Sequence, residues 1–194
     1  MTALGQPVHA IPGALIARRL SFERLASTWG YRTLADVGFE GPWVSPIQMV
    51  SGHPDGPVLL GKDYLDAPSL IRLRDRIAPQ GYLPDNPFNK VIDAALAMAG
   101  MTRRDVYITQ CFAAIVPRHR STAIPIVHYR ASFEAVGRHE LAGRRVLALG
   151  PQAQRLCAEF GIAARLVAHH PSARGPGLTV QAKAAALAEA LAEV

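Results

Sequence analysis

The sequence predicts an α/β fold: a single-domain α/β/α sandwich around a central four-stranded parallel sheet. Three observations carry that prediction. Four short apolar runs, at 58–61, 105–109, 145–150 and 165–168, alternate with stretches of helical character. The runs are apolar almost throughout instead of alternating, the pattern of strands covered on both faces. At 194 residues and 49% hydrophobic, the chain has enough apolar material for one full core, and no internal repeat or second core is visible. The predicted domain spans 1–194, with an N-terminal helix and covering segment over 1–50, the core over 51–178 and a C-terminal helix over 179–194.

Each element follows from local pattern. Residues 13–28 carry Leu15, Ile16, Leu20, Phe22 and Leu25 with Arg18, Arg19 and Arg24 between them, which predicts a helix. Residues 29–56 show no clean period; Trp29, Tyr31, Phe39 and Trp43 read as packing over one end of the core. The first central strand is 58–61. Pro68 suits the first turn of a helix over 69–77, whose Arg72, Arg74 and Arg76 share no face and read as solvated charge. Asp66 reads as that helix's cap. A proline-rich loop over 78–88 leads to a clear helix over 89–99, with Val91, Ile92, Ala95, Leu96 and Ala99 at helical spacing and Gly100 closing it. The second strand ends at Gln110-Cys111. A loop over 113–124 holds Pro117, Arg118, His119 and Arg120. A helix over 125–141, a strand over 145–150, a helix opened by Pro151, a strand over 165–168 and an Ala-rich helix over 179–194 complete the chain.

Composition bounds the function. The net charge is +6, and 18 of the 21 basic residues are Arg, 3 Lys. The planar guanidinium fork suits phosphate, so an anionic partner such as nucleic acid fits. A GC-rich genome would produce the same bias. The two cysteines, Cys111 and Cys157, form no C-x-x-C pair and cannot build a zinc ribbon or a four-cysteine cluster. Two lone cysteines fit a reducing compartment. Neither a secretory leader nor an apolar stretch of about 18 residues is present, so the expectation is a cytoplasmic, nucleoid-associated monomer without membrane contact.

The chemistry-bearing residues fall at strand ends. Asp63, Gln110, Gly150 and His170 each follow a predicted strand, and in a parallel sheet such ends open on one edge, where ligands bind. A carboxylate, an amide, an imidazole and Phe88 of the proline-rich loop would then meet in one cleft. No G-x-S-x-G or G-x-G-x-x-G occurs, and the one G-x-x-x-x-G-K, Gly56 to Lys62, runs into Asp63 where a P-loop carries Ser or Thr, which argues against serine hydrolases, dinucleotide binders and P-loop enzymes.

Taken in order, Gly61-Lys62-Asp63, Pro87-Phe88, the strand 106–110, the strand 146–150 and His170-Pro171-Ser172 resemble the uracil-DNA glycosylase superfamily over about residues 42–175. The final His-Pro-Ser is the most specific piece. The resemblance implies a parallel α/β/α sandwich and a metal-independent, cofactor-free enzyme that releases uracil or a related deaminated base from DNA in base excision repair. By that resemblance Asp63 activates the water, and His170 donates a hydrogen bond to the departing base. Phe88 stacks on the flipped base, Gln110 reads it or a residue such as Asn89 does so in its place, and Gly61, Lys62 and Tyr64 are further base-pocket candidates. Ser172 grips phosphate, Arg174 fills the vacated stack, and Arg118 and Arg120 are candidate backbone contacts. Three positions depart from the family's pattern: Lys62 stands for Gln, Gln110 for the usual Asn, and Leu65 for a Tyr that some members use against thymine. With two cysteines in place of the four a cluster needs, the chain does not fit the iron–sulfur branches.

Bland readings stand beside each of these. A histidine before proline is more often a satisfied loop residue, a lone Phe more often core, and a charged loop more often simply solvated. A DNA-binding homologue without catalysis and a hydrolase of free nucleosides are the rival functions.

Overall fold

β1 (Val58–Gly61) is the centre of the sheet, flanked by β2 (Tyr107–Gln110) and β3 (Val146–Ala148), with β4 (Ala164–Leu166) outside β3. All pairs are parallel, with Gly61 opposite Gln110, Leu60 opposite Ala148, and Ala148 opposite Leu166. The sheet is seen in a computed structural model that describes residues 3–118, 124–167 and 169–193. The chain runs from β1 to β2 on one side, then to β3 on the other, so it reverses direction across the sheet at β1. That reversal is where open α/β sheets form a ligand crevice.

Alternate residues of β1 feed two cores. Leu59, with Ile108 and Leu147, packs against Val91, Ile92, Ala95 and Leu96 of α4 (Pro87–Met98) and Ala184, Leu187 and Leu191 of α8 (Val180–Ala192). Val58 and Leu60 face the opposite layer. It contains α1 (Gly13–Ser27), α5 (Ile126–Ser132), α6 (Arg138–Leu141) and α7 (Pro151–Glu159), joined by the buried Trp43, Phe39 and Tyr31. Helices therefore cover both faces, as the apolar strands require. The outer edge of β2 is covered by an antiparallel bridge from Gly52 to Tyr107.

Several elements differ from the sequence expectation. In α1 the buried face is Arg19, Phe22, Glu23 and Ala26, while Leu25 is exposed. Arg19 is wholly enclosed; it bonds Glu23 at 2.7 Å and Glu40 at 2.8 Å, and Glu23 accepts from Leu34 N–H at 2.7 Å. Paired charges inside the layer are what blur the apolar stripe. The expected helix over 69–77 is two, α2 (Ala67–Arg72) and α3 (Arg74–Ile77), broken at Leu73. Asp66 caps α2 by accepting from Ser69 N–H at 2.9 Å. Arg74 is not solvated: it lies over the Phe39 ring at 5.2 Å and donates to the Gly38 carbonyl. α4 begins at Pro87, not residue 89, because Asn86 caps it through Phe88 N–H at 2.9 Å. The helix expected over 125–141 contains a π turn at Phe133–Gly137 between α5 and α6. Among the described residues no helix is long and apolar enough to cross a membrane.

Candidate active site at the carboxyl edge

The reversal at β1 opens a cavity of about 280 Å³. Lys62, Asp63 and Tyr64 enter it from the loop after β1, and Gln110 from the end of β2. Phe88 and Asn89 come from the first turn of α4, and His170 and Ser172 from the loop after β4. Eight residues drawn from four separate segments of the sequence thus share one wall. Helix capping explains part of this: starting α4 at Pro87 puts Phe88 on a fixed turn instead of in a loop.

Asp63 is largely buried, 12% exposed. Its Oδ2 accepts from the Tyr129 hydroxyl at 3.2 Å and lies 4.0 Å from Lys62 Nζ. Gln110 is buried against Gly61, where a Cβ would stand 2.2 Å from Gln110 Oε1. Gly61 therefore serves by being small: it lets the Gln110 amide approach the β1 backbone. Among the described residues that amide has no hydrogen-bond partner, so both its donor and its acceptor remain for a ligand.

His170 sits beside Gly150, whose φ of +116° and lack of a side chain make room for the ring; a Cβ there would stand 2.9 Å from His170 Cδ2. His170 Nδ1 accepts from Ser172 N–H at 3.1 Å, which leaves the hydrogen of a neutral ring on Nε2. Burial, then the Lys62 and Lys183 ammonium groups, push the imidazole below its ordinary value and favour that neutral form. The Phe88 ring lies 5.9 Å from it, tilted by 45°.

No protein-family model and no curated protein sequence matches this chain. The site is therefore read from its own chemistry. A carboxylate held by a phenol, a neutral imidazole donor, an aromatic face and an unpaired amide line one partly apolar cavity. Such a set can bind a flat heterocycle, orient water and stabilise a developing anion. Among the described residues no cluster of three or more His, Cys, Asp or Glu side chains could hold a metal ion.

Other sequence-predicted residues fare differently. Asn89 lines the cavity, but its amide donates to the Leu83 carbonyl at 2.9 Å and accepts from Arg103 at 3.0 Å. Most of its capacity is spent on the wall, so Gln110 is the better-placed amide for a ligand in the cavity. Tyr64 donates its hydroxyl to the Gly81 carbonyl and presents its ring. Arg118 and Arg174 are exposed and outside the cavity, and Arg120 lies outside the described residues. Tyr129, Tyr82 and Arg103 were not legible as site residues. Arg103 lies 3.6 Å over the Tyr82 ring and bonds Asp93 at 2.7 Å, stiffening the wall behind Asn89. None of these carries a local motif.

Proposed function

We propose that this protein is a metal-independent DNA glycosylase that hydrolyses the N-glycosidic bond of uracil or a related deaminated base. The observation that carries this reading is the meeting of Asp63, Phe88, Gln110 and His170 in one base-sized cavity. A base turned out of the stack would enter it, lie against Phe88 and hydrogen-bond the free amide of Gln110. As the bond between the sugar carbon and the base nitrogen breaks, electrons move onto the base and its oxygen gains charge. Nε2–H of His170 donates to that oxygen. Asp63 orients water toward the cationic sugar carbon and takes the water's proton as the new carbon–oxygen bond forms. The released base anion is then protonated by solvent.

The exposed Arg174 and Ser172 follow His170 on the same loop, and the Arg-rich +6 charge suits a polyanion. These features favour a DNA substrate over a free nucleoside. The resemblance of the ordered motifs to the uracil-DNA glycosylase superfamily supports the same reading.

The test is alkaline strand cleavage of labelled single-stranded and duplex oligonucleotides bearing one uracil. Wild type should cleave, and Asp63→Asn and His170→Ala should each fall by about 10²-fold or more. Hypoxanthine, xanthine and thymine mismatches are the next substrates. Silence on all of them, with DNA still bound, would overturn the enzyme reading and leave a DNA-binding homologue.

A further inference from the structure

Lys183 lies near the start of α8, outside the cavity lining. Its side chain is 5% exposed, and among the described residues no carboxylate pairs with it. Its ammonium donates instead to the Pro171 carbonyl at 2.7 Å and the Ala173 carbonyl at 3.0 Å. Those carbonyls flank Ser172, whose N–H meets His170 Nδ1. The turn is closed by Ala173 N–H donating to the His170 carbonyl at 2.8 Å. Burying an ammonium without a counter-ion is costly, and an apolar side chain would fill the same space at lower cost. The charge is explained by what it holds.

We propose that Lys183 is the positioning residue of the His170 turn. By gripping the carbonyls on both sides of Ser172 it keeps Ser172 N–H on His170 Nδ1, and so leaves Nε2–H as the ring's donor. Because α8 packs on α4, the same helix braces both the imidazole loop and the helix that carries Phe88. The charged groups acting on His170 are Lys183 from α8 and Lys62 from the loop after β1; its α4 and β3–α7 neighbours, Phe88 and Gly150, are uncharged. Removing Lys183 therefore both loosens the turn and takes away one of two cations that favour the neutral ring. The consequence for catalysis rests on the glycosylase reading; the positioning itself does not.

The experiment is ¹⁵N NMR of the histidine rings through a pH titration, on full-length wild type, Lys183→Met and Lys183→Arg, with His170→Gln to assign the signal. Wild type should show the Nε2–H tautomer of His170 at neutral pH. Lys183→Met should give mixed tautomers and a titration midpoint raised by about half a pH unit or more, and Lys183→Arg should keep the wild-type pattern. On uracil-containing DNA, Lys183→Met should slow single-turnover cleavage about 10-fold while affinity for undamaged DNA changes less than about 2-fold. A folded Lys183→Met with unchanged tautomer and titration overturns the proposal. So does an Nδ1–H tautomer in wild type, a result that holds even if Lys183→Met fails to fold. A tautomer change in a protein whose wild type cleaves nothing supports the positioning role and overturns the glycosylase reading alone.

Discussion

The hydroxyl of Tyr129, on α5, donates to Oδ2 of Asp63, on the loop after β1, at 3.2 Å. The two residues are 66 positions apart. Tyr129 is itself held edge-on by Phe112, with ring centres 5.7 Å apart. Burial, with the neighbouring Asp63 carboxylate, pushes the Tyr129 phenol well above its ordinary value, so the donor stays in place at neutral pH. Tyr129→Phe keeps the packing and removes that one bond. Base release measured in a single turnover should fall about 3- to 10-fold, the size of one lost hydrogen bond. An unchanged rate would remove Tyr129 from the site.

Gly150→Ala tests the room made for the imidazole. The residue has φ +116°, and a Cβ would stand 2.9 Å from His170 Cδ2. The variant should lose about 1–2 kcal/mol of stability from backbone strain. It should also lose base release by about 10-fold or more, in excess of the loss in folded protein. Urea melts beside rate measurements separate the two effects.

Gly61→Ala probes the amide. The new methyl would meet Gln110 Oε1, the far end of a side chain, and the backbone there needs no left-handed conformation. The fold should survive, with the Gln110 amide displaced. Relative rates on uracil, hypoxanthine and thymine mismatches should change more than the melting temperature does. Equal losses on every base would show that Gln110 does not read the base.

A pH effect on stability is expected from Glu140, away from the cavity. Its buried carboxylate accepts from Tyr107 at 2.6 Å, Thr109 at 3.0 Å and Gln48 at 3.2 Å. Burial raises it to about 7 despite those donors and Arg144. The native state then holds a proton that the unfolded chain releases near its ordinary value of 4.5. Stability should fall as pH rises from about 5 to about 7 and level off above, by at most about 3 kcal/mol. Glu140→Gln should flatten that slope in urea melts taken across the range, since the Tyr107 and Thr109 hydroxyls can each donate or accept.

Much of the fold was legible because strands buried on both faces must be apolar throughout. The run at 58–61 matches β1 residue for residue, and Asp66 caps its helix as its position before Pro68 suggests. Helix α1 was legible in extent but not in face, because its buried side carries Arg19 and Glu23, whose pairing depends on Glu40 and Leu34 elsewhere in the chain. Arg74 misleads for a related reason: a cation reads as solvated until an aromatic ring and a carbonyl close over it.

For the site, the sequence by itself determined which chemistry sits at the strand ends, because a parallel sheet sends all its carboxyl termini to one edge. Asp63, Gln110 and His170 needed no more than that. Tertiary structure decided how each group is held: Tyr129 on Asp63, Gly61 against Gln110, Gly150 and Lys183 around His170, and Arg103 on Asn89. A hydrogen bond between residues 66 apart leaves no local pattern, since propensity and periodicity register neighbours along the chain. Distance in space is settled only when the layers pack.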